Sequence, residues 1–165
     1  MRAYADEIFA MNISTGGEDS IQARIDAELF PITFAMRDEV ITPAVKKYSL
    51  DHFDYCMEEF YVETNGKWIP AGEGLYPHFH PGSVFSAICY PANSKNAMTM
   101  FDPRGNARRG YPRKIRNSHH FANFTINPQE GNVYIFPSYV QHSVAHVTEE
   151  VRLSLLHEYH VIKDI

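Results

Sequence analysis

Cysteine is scarce in this chain, and long hydrophobic runs are absent. Cys56 and Cys89 are the only cysteines, and each lies in an apolar or aromatic run. A chain of this length buries about two thirds of its unfolded surface and needs no disulfides. We therefore predict two buried free thiols, as in a reducing compartment. No stretch approaches about 18 consecutive apolar residues, and no long apolar stretch follows Arg2, so the sequence predicts a cytoplasmic protein without a signal peptide or membrane span.

Carboxylates are absent from residues 103–120, although the whole chain has a net charge of −5. The segment carries a charge of +6 and the rest of the chain −11. Its basic residues are Arg104, Arg108, Arg109, Arg113, Lys114 and Arg116. Two prolines and two glycines predict a long loop between strands. Long loops in compact domains are commonly functional. We predict a lid over an anionic ligand or partner, and the alternative is a solvated loop without a partner.

The pattern of apolar residues changes along the chain. Ile21, Ile25 and Leu29 recur at every fourth position and predict a short helix that begins after Asp19 or Ser20 and ends at Pro31. Residues 32–41 predict a second helix, and Thr42-Pro43 begins another that runs through Lys47. The predicted strands are residues 55–63, 84–90, 97–101, 121–127, 133–136, 142–147 and 151–161.

Short strands with this spacing predict a mainly β protein, a sandwich or jelly roll. Residues 1–52 are predicted to form a helical N-terminal support that packs on one outer face of the β core, residues 53–165. The chain shows no internal repeat and no linker. We therefore predict that residues 1–165 form a single domain.

Three histidines have the spacing of a metal site. His78 and His80 are two positions apart, so in a strand both side chains point to the same face. His142 follows a turn between two β-rich runs, where its side chain can project into the mouth of a barrel. Neutral imidazole binds iron, zinc, copper and nickel. Three unrelated histidines with core or surface roles are the alternative.

An arginine and a serine follow ten and twelve positions after His142. Arg152 and Ser154 also share a strand face, and they are surrounded by Val151, Leu153 and Leu155. A guanidinium in an apolar strand is unfavourable unless an anion pairs with it. The planar guanidinium can donate two parallel hydrogen bonds to the two oxygens of a carboxylate, and the serine hydroxyl can donate a third. The pair therefore predicts an anion site beside the metal, with an internal salt bridge as the alternative.

Together these residues resemble the iron(II)- and 2-oxoglutarate-dependent oxygenases, in particular a small bacterial and phage family of that class. The resemblance covers roughly residues 66–157. Its matching segments are Trp68 with the glycines after it and residues 78–81, 86–90, 101–104, 131–138, 142–144 and 152–154. It implies a double-stranded β-helix, the cupin-like jelly roll, with Fe(II) at its open end. It also implies an enzyme, a dioxygenase that hydroxylates an unidentified substrate while 2-oxoglutarate becomes succinate and carbon dioxide.

The resemblance also implies roles for individual residues. Fe(II) would be held by His78, His80 and His142. The C5 carboxylate of the cosubstrate would pair with Arg152 and Ser154. Tyr90 shares a strand face with Ser86 and Ile88 and either donates its hydroxyl to the cosubstrate or is a core tyrosine.

One position departs from the common pattern of that superfamily. Most members have Asp or Glu two residues after the first histidine, and this chain has His80 there. Either His80 binds the metal, or it only lines the site and a carboxylate such as Asp102, or a water, completes the set. Asp102 precedes Pro103 and can equally be a turn residue.

A second resemblance keeps another function open. Gly72, His78 and His80, and then Gly131, Pro137 and His142, are spaced like the two cupin motifs, without the usual glutamate. The alternative is therefore a cupin-type metal protein or enzyme that does not use 2-oxoglutarate, or a non-catalytic jelly roll that binds a partner.

The predicted partner is a small-molecule or protein substrate, and the basic loop, through Arg104, Arg108, Arg109 and Arg113, favours an anionic one. Nucleic acid is not favoured because few aromatic residues accompany these cations. A homodimer is left open.

Overall fold

The described part of the chain forms two antiparallel sheets with helices on one side. The computed structural model describes residues 21–104, 110–116, 122–148 and 151–162. In chain order its elements are β1 (Ile21–Arg24), α1 (Pro31–Met36), a π-helical turn (Arg37–Ile41), α2 (Thr42–Phe53), β2 (Phe60–Pro70), β3 (Leu75–His78), β4 (Phe85–Cys89), β5 (Met98–Met100), α3 (Arg113–Arg116), β6 (Phe124–Ile126), β7 (Val133–Pro137), β8 (His142–Val144) and β9 (Val151–Val161). None of the helices in this part of the chain has the length and apolar character to cross a membrane.

The strands are arranged as a jelly roll. One sheet has the order β1-β2-β9-β4-β7, and the other has the order β3-β8-β5-β6. Strands that are distant in the sequence, such as β2 and β9, are therefore neighbours over their full length. The predicted fold class, a mainly β jelly roll with helices on one face, is confirmed.

Alternating residues of the larger sheet separate the helix-packed face from the interior. Leu153 and Leu155 of β9 pack with Ala87 and with Val45 of α2 in one apolar cluster. Leu156 belongs to a second cluster, with residues of β4, β5, β6 and β7. Successive strand residues point to opposite faces of a sheet. Arg152 and Ser154 consequently lie on the interior side, which is the side of the candidate site.

The first predicted helix is wrong, because Ile21–Arg24 forms strand β1. It pairs antiparallel with β2, with Ile21 opposite Trp68 and Arg24 opposite Asn65. A spacing of four residues is also an even number, so it is compatible with one face of a strand as well as with a helix. Pairing with the open edge of β2 decides between the two. The support predicted for residues 1–52 thus includes a strand, and the division of the chain at residue 52 stays a prediction.

Pro31 begins a helix and does not end one. Proline is favoured in the first helical turn because its missing N–H is not needed there. The helix predicted for residues 32–41 is confirmed, but no break separates it from the next helix. The Thr42 N–H donates to the Arg37 carbonyl across the π-helical turn. Helix α2, which was predicted to begin at Thr42-Pro43 and to end at Lys47, runs to Phe53. Asp54, in the left-handed region (φ 51°), ends it.

Strand positions agree best for three strands of the larger sheet, β4, β7 and β9. The strand predicted for residues 151–161 is confirmed, and those predicted for 84–90 and 133–136 shift by one residue. The strand predicted for residues 55–63 is wrong in its bounds, because β2 begins at Phe60 and continues to Pro70. Asn65 and Gly66 resemble a turn signal. Their pairing with Leu156 and Leu155 of β9 nevertheless keeps them extended.

The cysteine prediction is half right. Cys89 is buried at the end of β4, whereas Cys56 is exposed after α2. Its segment lies between the end of the helix and the start of β2, so its aromatic neighbours Phe53 and Tyr55 are exposed as well. Neither cysteine forms a disulfide.

Candidate metal and cosubstrate site

A cavity of about 280 Å³ lies between the two sheets. Its wall contains residues from β2, β3, β4, β5, β8 and β9, so the site exists only after both sheets have formed. Its polar wall is made by Lys67, His78, His80, His142, Arg152 and Ser154. Its apolar wall is made by Leu75, Ile88, Met98, Val144 and Leu156. Five of the residues predicted from the sequence thus line one cavity.

The smaller sheet brings the three histidines together. His78, the last residue of β3, is directly opposite His142, the first residue of β8. Residues opposite each other on paired strands present their side chains to the same face. His80 lies two residues beyond the end of β3, and its N–H donates to the Ser138 carbonyl at 3.0 Å. The Ser83 hydroxyl donates to the His80 carbonyl at 3.2 Å, so both backbone groups of His80 are held.

Hydrogen bonds at Nδ1 determine the tautomer of two of the histidines. His78 Nδ1 is 2.8 Å from the Tyr76 carbonyl oxygen, and His142 Nδ1 is 3.1 Å from the Val140 carbonyl oxygen. A carbonyl oxygen only accepts, so Nδ1 must carry the proton in both rings. In the neutral rings Nε2 therefore keeps its lone pair, which is the form that binds a metal.

The distances between the rings fit one metal ion. One ligand nitrogen from each histidine lies within 4.8 Å of the others. His80 Nε2 and His142 Nε2 are 3.3 Å apart. Two nitrogens bound to one ion at about 2.1 Å lie roughly 3.0–3.4 Å apart, depending on whether the angle is octahedral or tetrahedral. At this distance the two Nε2 atoms can share either a proton or a metal ion, and three converging imidazole nitrogens are a donor set that fits a resident metal.

The electrostatic environment keeps the rings of His78 and His142 uncharged. Burial, with smaller contributions from His78, His80 and Arg152, lowers the pKa of His142 to about 4. Burial also lowers the pKa of His78. Both imidazoles are therefore neutral at pH 7 and need not release a proton when a metal binds. The edge of the Phe136 ring lies against His142, with ring centroids 5.2 Å apart.

Glu158 is a part of the site that sequence reasoning missed. Its Oε1 lies 3.2 Å from His80 Nδ1, and both side chains are nearly buried. Asn65 donates to the other carboxylate oxygen at 3.1 Å. The hydrogen bond from His80 holds the pKa of Glu158 below its usual value. Glu158 follows Arg152, Ser154 and Leu156 on alternate positions of β9, and that strand face was the only signal that could have identified it.

Arg152 and Ser154 lie at the other end of the cavity wall. Arg152 is buried, with 2% of its surface exposed, and its guanidinium donates to the Tyr90 hydroxyl and, at 3.5 Å, to Ser154 Oγ. The same guanidinium lies over the Tyr90 ring, with its Cζ 4.9 Å from the centroid. Burial raises the pKa of Tyr90, so its hydroxyl stays protonated. Tyr90 thus positions Arg152, although it does not line the cavity itself.

Lys67 is the second residue that sequence reasoning missed. It lies on β2 directly opposite Ser154 and lines the same cavity. Burial, and then the positive charge of Arg152, lower the pKa of Lys67. Two cations side by side in a partly buried cavity repel each other, and an anion between them would relieve that repulsion. In the sequence, Lys67 stands beside Gly66 with no motif around it.

Among the described residues, Asp102 is not part of the histidine cluster. Arg104 binds its carboxylate through the backbone N–H and Nε, both at 2.9 Å from Oδ1, and through a guanidinium nitrogen 2.7 Å from Oδ2. This pairing holds the pKa of Asp102 below its usual value. The geometry agrees with a turn residue. It also means that Arg104, counted as one of the cations of the basic loop, is paired with a carboxylate just outside that segment.

The remaining loop residues are described only in part. Arg113 is exposed at the beginning of α3, a short helix inside the segment predicted to be a loop. Arg108 and Arg109 lie outside the described residues. The lid prediction therefore stays a prediction.

Comparisons with solved structures agree with the fold. A prolyl-4-hydroxylase of Pseudomonas putida is similar in structure, with a TM-score of 0.63, 17% identity, and coverage of 96% of this chain and 88% of that chain. HygX of Streptomyces hygroscopicus, solved with nickel and 2-oxoglutarate, has a TM-score of 0.63, 10% identity, and coverage of 97% and 77%. An oxidoreductase of the 2OG-Fe(II) oxygenase family from Burkholderia pseudomallei has a TM-score of 0.62, 12% identity, and coverage of 94% and 78%. No curated protein matches the chain.

Fold and site together define a jelly-roll protein in which three histidines that could hold a metal ion line the same cavity as a buried arginine. The sequence family described as "Putative 2OG-Fe(II) oxygenase" matches residues 67–157, more than half of the chain. This chain belongs to that family. It is an Fe(II)- and 2-oxoglutarate-dependent oxygenase, and the predicted family, enzyme class and cofactors are confirmed.

Proposed function

We propose that this oxygenase is a hydroxylase that holds Fe(II) with His78, His80 and His142 and 2-oxoglutarate with Arg152, Ser154 and Lys67. The observation that carries the proposal is that all six side chains line one cavity of about 280 Å³. That volume is close to the lower end of small-molecule sites, about 300–1,000 Å³. A small dicarboxylate fits the space, whereas a larger substrate would have to approach from the open mouth.

Each wall of the cavity has a separate task. His78 and His142 present neutral nitrogen donors to the metal, and His80 adds a third imidazole nitrogen. When bound, Fe(II) and 2-oxoglutarate would supply the electrons with which dioxygen is reduced as it oxidises the substrate, while the protein binds and orients the reactants. Arg152, held by Tyr90, binds the C5 carboxylate in a fixed orientation, and Lys67 and Ser154 add a charge and a hydrogen bond. The apolar side chains of Ile88, Met98 and Leu156 exclude water from the methylene groups of 2-oxoglutarate, which lie between its two carboxylate ends.

The proposal is tested by an anaerobic titration of the metal-free protein with Fe(II) and 2-oxoglutarate. We expect a weak visible charge-transfer band that appears only when both are present and saturates at one equivalent of each. Zn(II) is the control, because its filled d shell gives no such band. No band, together with no calorimetric binding of 2-oxoglutarate, would contradict the proposed site.

The substrate is proposed to be an anionic small molecule or an acidic protein segment. Tyr76 forms part of the cavity wall with 90% of its surface exposed, so the mouth is open to a large partner. The cations of residues 103–120 would raise the rate of encounter with an anion. We further propose a cytoplasmic location, supported by two cysteines that form no disulfide. Two predictions from the sequence stay predictions: that nucleic acid is not favoured as a partner, and that a homodimer is possible.

Neutralising Arg108, Arg109 and Arg113 together should raise the KM for such a substrate and reduce its dependence on ionic strength. The reason is that interactions between exposed charges are screened by salt. The measurement uses whichever substrate supports 2-oxoglutarate turnover in a screen of anionic small molecules and acidic peptides. The affinity for 2-oxoglutarate, which binds inside the cavity, serves as the internal control. Unchanged KM and salt dependence would show that the loop is solvated surface.

A further inference from the structure

The three histidines of the metal site differ in what supports them. Nδ1 of His78 and Nδ1 of His142 donate to neutral backbone carbonyls. His80 Nδ1 instead faces the carboxylate of Glu158 at 3.2 Å. His80 occupies the position at which the superfamily pattern has Asp or Glu. Its contact with Glu158 therefore brings a carboxylate from β9 next to that position. The difference gives His80 an anionic neighbour that the other two rings lack in the described structure.

A carboxylate on the far nitrogen changes what an imidazole offers to a metal. It fixes the ring with its proton on Nδ1 and the lone pair on Nε2, and it raises the basicity of that lone pair. His80 Nε2 is the nitrogen that faces His142 Nε2 at 3.3 Å, so the nitrogen that would bind the metal points into the cluster. The carboxylate of Glu158 can thus increase, through the His80 ring, the electron density that reaches the metal. This would replace part of the negative charge that a carboxylate ligand supplies.

The position of Glu158 is itself held by contacts on both sides of the carboxylate. Asn65, from β2, donates to Oε2 at 3.1 Å while His80 occupies Oε1. The side chains of His80 and Glu158 are only 11% and 13% exposed, so little water competes for the bond. Both groups are therefore placed before any metal binds.

We infer that Glu158 is a positioning residue that supplies, through His80, the negative charge that a carboxylate ligand provides in the common triad. This inference rests on the proposed metal site. It assigns Glu158 no contact with the metal or the cosubstrate. One face of β9 then serves both parts of the reaction, because Arg152 and Ser154 reach the cosubstrate and Glu158 supports the metal.

The experiment measures Co(II) affinity by calorimetry and the visible spectrum of the Co(II) protein. Glu158→Gln keeps the size of the side chain and an acceptor oxygen but removes the charge. We expect about 10–100-fold weaker binding and a shifted Co(II) spectrum. Glu63→Gln is the matched control, because Glu63 lies directly opposite Glu158 on β2 and pairs with Arg24. The control should bind Co(II) like the wild type, and the metal-free variants should have similar melting temperatures.

A second background separates the support of His80 from a general structural role. His80→Asp places a carboxylate directly at the ligand position, so Glu158→Gln should change Co(II) affinity there by less than about twofold. Wild-type affinity in Glu158→Gln alone would overturn the inference. An equal loss in both backgrounds would also overturn it, because the effect would then not pass through His80. If alanine at His78 or His142 leaves Co(II) binding unchanged, the proposed metal site itself fails.

Discussion

Alanine at His142, and separately alanine at His78, is expected to abolish stoichiometric Fe(II) binding. The two residues are directly opposite each other on β8 and β3, and the structure around them offers no other described histidine, cysteine or carboxylate within the cluster. Two remaining imidazoles hold Fe(II) weakly because each lost donor removes one bond to the ion. Anaerobic calorimetry and metal analysis of the purified variants measure the effect.

A suitable control for these variants is His146→Ala. His146 lies two residues beyond the end of β8 and is exposed, and it is outside the three-histidine cluster. Its loss should leave metal content unchanged. Stoichiometric Fe(II) in both the His142 and the His78 variants would show that the proposed site is wrong.

Arg152→Ala should remove 2-oxoglutarate binding while the metal stays bound. The guanidinium is 98% buried beside the cavity, so the C5 carboxylate would lose its main partner in a place that water reaches poorly. Removing one partner of a buried ion pair costs about 3–5 kcal/mol. That corresponds to a loss of affinity of more than about 100-fold. Calorimetric titration of the Zn(II)-loaded variant with 2-oxoglutarate measures it without turnover.

The neighbours of Arg152 should give a graded series in the same measurement. Ser154→Ala removes one hydrogen bond to a charged group and should cost about 1–2 kcal/mol. Lys67→Met keeps the length of the side chain and should fall between the serine and arginine variants. Arg24→Gln, an exposed strand arginine paired with Glu63, is the control and should bind like the wild type. Equal 2-oxoglutarate affinity in the wild type and Arg152→Ala would leave a metal site that does not use this cosubstrate.

The fold could be predicted where the residue pattern fits only one structure. In β9 the polar residues Arg152, Ser154, Glu158 and His160 all lie an even number of positions apart, which is compatible with one face of a strand and with no amphipathic helix, and the predicted bounds are confirmed. The spacing of Ile21, Ile25 and Leu29 is compatible with both structures, and the helix prediction was wrong. Local pattern could not decide this case, because the hydrogen-bonding partner of β1 is the edge of β2, about forty residues later in the chain.

The candidate site also has a part that local sequence predicts and a part that depends on the pairing of distant segments. The sequence by itself determined the ligand types. Two histidines two residues apart, and an arginine two residues before a serine, can bind a metal and an anion in whatever place the fold puts them. Tertiary structure alone decided which other charges meet them. Asp102 is bound by Arg104, Lys67 faces Ser154, and Glu158 faces His80. The contact of Lys67 with Ser154 and that of Glu158 with His80 join segments that are distant in the sequence. Both contacts depend on the register in which the strands pair, and no local spacing encodes that register.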